Sequence, residues 1–145
     1  MIEINFWGVR MKLVINKCYG GFGLSLLAQK RYCELAGKEA HFYRAVGSDL
    51  GVKVGIEAQE LFVHCVHHDY GEKVDLNTLP DSAFFKDRSL DRDDSILIQV
   101  IEELGEKANG VSAQLKIIEI PDGVEWQIEE YDGLEWVAEK HRTWR

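Results

Sequence analysis

Apolar spacing divides this chain into an ordered front, a polar middle and an ordered back. Lys12–Lys17 carries the consecutive apolar residues Leu13, Val14 and Ile15, the pattern of a strand covered on both faces. Leu24, Leu27, Ala28, Tyr32 and Leu35 then follow roughly helical spacing, with Ser25 placed to cap the start and Gly37 just past the end. His41–Val46 reads as a second strand. Near the other end, Leu97, Val100, Ile101, Leu104 and Ala108 form a helical stripe. The aspartates of Arg92-Asp93-Asp94 precede it, where a helix dipole favours them, and Gly105 or Gly110 ends it.

Gln114–Ile120 alternates like a strand and stops at Pro121. Val124–Tyr131 and Leu134–Trp144 flank Asp132-Gly133, the residue pair that a type I′ hairpin turn favours. That turn pairs Tyr131 with Leu134, Ile128 with Val137 and Glu125 with Lys140. Between these ordered parts the pattern weakens. Leu61–Val66 reads as a strand, and polar Asp69–Leu90 reads as one long loop.

Together the elements predict one α+β domain over residues 11–145, a mixed β-sheet of about five or six strands with two main helices and a C-terminal β-hairpin. A variable middle segment spans about 47–91, and residues 1–10 form an N-terminal extension whose Phe6 and Trp7 could pin it to the body.

Composition narrows the classes. A chain of 145 residues, 46% hydrophobic, with four Trp, six Phe and five Tyr, can bury a core without staples. Its net charge of −8 argues against an extended nucleic-acid partner, which needs a positive surface. Three cysteines at no ligand-like spacing point to free thiols in a reducing cytoplasm. No apolar run is long enough to span a bilayer, and no secretion signal is evident. The acidic, aromatic-rich composition is compatible with a homo-oligomer.

The chemistry centres on Lys12–Ser25, KLVINKCYGGFGLS. A strand running through three glycines into a helix start can aim backbone N–H groups at an anion. On that reading Asn16, Cys18, Tyr19, Gly20, Gly21, Phe22 and Ser25 line a ligand site. The plainer reading is a tight turn whose aromatics fill the core, and neither a Walker A run nor a G-x-G-x-x-G run is present.

Cys18 is a nucleophile candidate at the end of a strand, with His141 or His41 as its base if folding brings either within reach. The plainer reading is a small apolar residue. His64-Cys65-Val66-His67-His68 alternates between two strand faces, which splits the ligands a zinc ion needs. No metal site or cofactor is expected. Arg92-Asp93-Asp94 is most simply a helix cap, and Glu102-Glu103 and Glu129-Glu130 are solvated faces. The C-terminal His141-Arg142-Thr143-Trp144-Arg145 concentrates cations and an aromatic in an acidic chain, suited either to a phosphate and a base or to packing a hairpin end.

Two blocks carry a resemblance. VINKCYGGFGLS, and RDDSILIQVIEELGEKANG followed by LKIIEIPDGVEWQIEEYDGLEWVAEKHRTW, resemble a widespread family of small uncharacterised proteins of tailed bacteriophages and prophages. They cover roughly the first quarter and the last third of the chain. The family usually has proline where this chain has Ser95, and both residues suit a helix's first turn. The resemblance implies an accessory phage protein acting in the bacterial cytoplasm and assigns no reaction. Such proteins often blunt host defence.

The leading expectation is therefore a non-catalytic binder of a phosphorylated small molecule, such as a nucleotide signal, held by the glycine-loop residues, Arg92, His141, Arg142 and Trp144. The alternatives are an inhibitor that docks on a host defence protein, and a Cys18-dependent hydrolase or transferase.

Overall fold

The computed structural model describes residues 10–140. In chain order the elements are β1 (Arg10–Asn16), α1 (Leu26–Leu35), β2 (His41–Val46), β3 (Leu50–Val54), β4 (Val63–Val66) and β5 (Lys73–Asp75). Then come β6 (Phe84–Phe85), α2 (Ser95–Leu104), β7 (Leu115–Pro121), β8 (Trp126–Tyr131) and β9 (Leu134–Glu139). The extension over residues 1–10, apart from Arg10 itself, lies outside the described residues, as do His141, Arg142 and Trp144.

The chain forms an α+β domain with two main helices and a C-terminal hairpin. Its strands are distributed over three sheets: β1-β7, β5-β3-β2-β4-β6 and β8-β9. Every strand pairing among the described residues is antiparallel.

Local chemistry explains the helix boundaries. Ser25 Oγ accepts the Ala28 N–H at 3.1 Å and donates to Lys107 O at 2.6 Å, so one hydroxyl caps α1 and ties it to the 3₁₀ turn that follows α2. At the other end, Gly37 adopts φ +74°, and the N–H groups of Gly37 and Lys38 return to Glu34 O and Cys33 O. These paired bonds close the helix and satisfy its last carbonyls. Asp94 caps α2 by accepting the N–H groups of Ile96 and Leu97.

The helix α1 is shared between two cores. Ala28 joins Val14, Phe22, Leu24, Leu97, Val100, Ile101 and Ala108 in the core of β1, β7 and α2. Leu26 and Cys33 pack with Phe42 and Cys65 against the five-stranded sheet. A helix buried on two sides is held chiefly by that packing, since isolated helices of this length are marginal.

The expected long loop over Asp69–Leu90 is corrected. This stretch contributes β5 and β6 and three short 3₁₀ turns. Its backbone groups have partners: His67 N–H donates to Ala83 O, Leu76 N–H to Asp49 O, and Asp75 Oδ1 accepts the Asn77 N–H. Tyr43, fully buried in β2, fixes the turn before β5 by donating to Gly71 O at 2.7 Å and accepting the Tyr70 N–H at 2.9 Å. Side-chain and turn hydrogen bonds, which leave no periodic trace, order the segment.

Candidate functional site

Several residues singled out in the sequence meet where the glycine loop touches the last hairpin. Asn16 is fully buried. Its Nδ2 donates to Cys18 O at 2.9 Å and Gly133 O at 2.7 Å, and its Oδ1 accepts the Gln114 N–H at 2.7 Å. Its backbone N–H donates to Glu135 Oε1 at 2.8 Å. Glu135, buried in β9, also takes both ends of the Arg92 guanidinium, with Nη2–Oε2 at 2.8 Å. Arg92 lies over the buried Phe22 ring, 3.7 Å from its centroid. Asn16, Phe22 and Arg92 therefore do come together, but around Glu135.

The loop's N–H groups are directed inward as well. Gly20 N–H donates to Asp132 O, Gly21 to Ser112 O, Ser25 to Ala108 O, and Leu24 to Asp87 Oδ2 at 2.8 Å. The close approach explains the glycines. Gly20 has φ +144°, and a Cβ on Gly133 would stand 2.5 Å from the Gly20 carbonyl carbon. The loop is a seam between the hairpin turn, residues 110–112 and the start of α1, and those four donors are unavailable to a phosphate. Arg92 is likewise neutralised by Glu135, since a buried ion pair of this kind resists separation.

The Cys18 sulfur lies 3.4 Å from Asn16 Oδ1 and 3.3 Å from Ser112 O, both acceptors. His41 sits on β2, 2.9 Å from Glu39 Oε1, with no hydrogen bond to Cys18. Tyr19 is exposed, and Ser25 is occupied as a cap. Among the described residues no group of three His, Cys, Asp or Glu side chains is placed to hold a metal ion, and no helix is long and apolar enough to cross a membrane.

The open chemistry lies on another face. Leu61, Phe62 and Val111 are 63%, 68% and 81% exposed, and all three line one depression beside Gly21, Gly23 and the N-terminal end of α1. Phe62 holds φ +60°, a left-handed conformation unusual for a bulky residue. The Val111 N–H donates to Glu60 Oε2 at 2.9 Å, which ties residues 60 and 111 together. Burial pushes the Glu60 carboxyl up from its ordinary value, opposed by that N–H bond, with Asp87 adding repulsion.

This depression adjoins a cleft of about 590 Å³ between α1, β4 and residues 84–89; both include Gln29, Val63, Asp87 and Arg88. Phe84, Phe85 and His64 give the cleft aromatic walls. Lys86 pairs with Asp81, whereas Arg88 makes no ion pair among the described residues. Of the residues singled out in the sequence, Gly21 lines the depression and His64 and Cys65 line the cleft. Leu61, Phe62, Val111 and Arg88 were missed; the legible signal for them was the Leu61-Phe62 pair inside a polar stretch.

No protein family, curated protein or solved structure matches the chain.

Proposed function

We propose that this protein is a non-catalytic accessory protein of the tailed-phage kind that its two sequence blocks resemble, and that it acts by docking on a bacterial host defence protein. The phage assignment rests on those blocks. The docking reading rests on one observation: Leu61, Phe62 and Val111 form an exposed apolar ridge along the depression they line, with Phe62 68% exposed on backbone at φ +60°. Solvent gives no reason to display three large apolar side chains together, and strained backbone of this kind concentrates at functional sites.

The partner's surface is apolar with a basic rim. Glu60 and Asp87 line the depression beside the ridge, and the whole chain carries −8. Arg88 offsets one of those two carboxylates locally, so it is the net charge of the whole chain that draws in a cationic partner and repels a second copy.

A second reading has its own support. The 590 Å³ cleft is of small-ligand size, and Arg88, which makes no ion pair among the described residues, lines it with Phe84 and His64 in a way that suits an aromatic anion such as a nucleotide. Two arms separate the readings. In the first, the protein is incubated with a panel of mono-, di- and cyclic nucleotides, removed and denatured, and the released molecules are chromatographed. In the second, host extract is passed over the wild type, Leu61→Asp and a Lys116→Ala control. Docking predicts that every nucleotide stays free and intact. It also predicts one stoichiometric partner, captured by the wild type and the control, lost with Leu61→Asp, and bound again when purified. Release of an unchanged nucleotide by the wild type, and not by Arg88→Glu, would instead establish the cleft reading. A chemically altered nucleotide would overturn both.

A further inference from the structure

The cysteines offer chemistry that docking does not use. Cys33 on α1 and Cys65 on β4 are both buried and belong to the same small core cluster with Leu26 and Phe42. They lie beneath the segment that carries β6. Cys65 is directly opposite Phe85 in the β4–β6 ladder and lines the 590 Å³ cleft. Cys33 lines a neighbouring cleft, and both clefts are bounded by Phe84, Phe85, Lys86 and Ser89. The two thiols are near enough to perturb one another's titration.

We propose that Cys33 and Cys65 form an oxidisable dithiol, which hydroperoxides reaching it through these clefts convert to a disulfide joining α1 to the five-stranded sheet.

The roles of the two sulfurs differ. The neighbouring Cys65 holds the Cys33 thiol below its ordinary value, against burial, with Lys38 assisting. Cys65 is pushed up, first by Cys33 and then by burial. We assign Cys33, the more acidic of the two thiols, as the nucleophile and Cys65 as the resolving thiol. The Cys33 thiolate attacks the terminal oxygen of the hydroperoxide. An S–O bond forms, the O–O bond breaks, and the alkoxide leaves as alcohol after taking a proton from water. The sulfur of Cys65 then attacks the sulfenic acid. The S–S bond forms, the S–O bond breaks, and the departing hydroxide leaves as water with the Cys65 proton. The two sulfurs supply the two electrons that reduce the peroxide.

Trypsin places the three cysteines on separate peptides, 18–30, 32–38 and 54–73. The reduced full chain is treated with tert-butyl hydroperoxide, alkylated and digested without reductant. The expected product joins peptide 32–38 to peptide 54–73, forms equally in Cys18→Ser, and is absent in Cys33→Ala. The midpoint of thermal unfolding rises by roughly 5–10 °C and returns with dithiothreitol. Because Cys33 is buried, the Cys18→Ser arm keeps the test decisive if Cys33→Ala folds poorly. A cross-link through Cys18, sulfinic acid at Cys33 without a cross-link, or a lowered midpoint would each overturn the proposal.

Discussion

Asn16 has no exposed surface, and both ends of its side-chain amide are used by backbone groups from three separate segments. Replacing it with alanine leaves Gln114 N–H, Gly133 O and Cys18 O without that partner at part-buried positions. Each orphaned buried group costs about 1–3 kcal/mol. We expect Asn16→Ala to lower unfolding stability by about 3 kcal/mol in urea, with the denaturant slope unchanged. A loss under about 0.5 kcal/mol would mean the seam is not a stabilising junction. Residue type alone pointed to this asparagine, to Phe22 and to Arg92, and the three lie together around Glu135. What residue type could not convey was direction, because an amide that binds a ligand and one that ties three backbones together look alike in a sequence.

At the scale of elements, legibility followed length and period. The hairpin formed in the expected register, with Tyr131 opposite Leu134 and Ile128 opposite Val137, and Asp132 and Gly133 at φ +50° and +88°. That register held an unused clue. Glu135 shares the face of Val137, so it had to point inward and needed a cation, and Arg92 was available. The five-stranded sheet was not legible because β5 and β6 span only three and two residues and Gly51 interrupts β3.

The two helices were legible, and a surface ion pair joins them: Arg31 Nε of α1 lies 2.8 Å from Glu103 Oε2 of α2. The Arg31 hydrogen bond, followed by that of Gln99, lowers the Glu103 carboxyl from 4.5 to about 2. A carboxylate whose folded value is depressed stabilises above its unfolded value and loses that contribution as pH falls through its folded value. The Glu103 contribution is therefore complete above about pH 4.5 and fades towards pH 2. In Arg31→Met, NMR titration of the Glu103 carboxyl should move back up towards 4.5, and the part of the acid-induced stability loss that falls between about pH 4.5 and 2 should shrink. A carboxyl that still titrates near 2 in that variant would assign the shift to another group.

For the whole molecule, the polar seam and the double-sided helix form a scaffold, and the ridge is what that scaffold leaves outside. The seam holds residues 110–112 against the glycine loop, and the Glu60–Val111 bond carries that order to residues 60–62. The ridge is thus presented on rigid structure, which lowers the cost of ordering it on binding. If display is the purpose of the strained Phe62, stability and binding should separate when that residue is changed. Asparagine accepts left-handed backbone far more readily than phenylalanine. The most direct test is therefore to measure unfolding stability and partner affinity together for Phe62→Asn. Docking through the ridge predicts stability unchanged or raised by about 0.5–1 kcal/mol, with affinity for the purified host partner at least tenfold weaker. A variant that binds as tightly as the wild type, or that loses stability because Phe62 was packing inward, would contradict it.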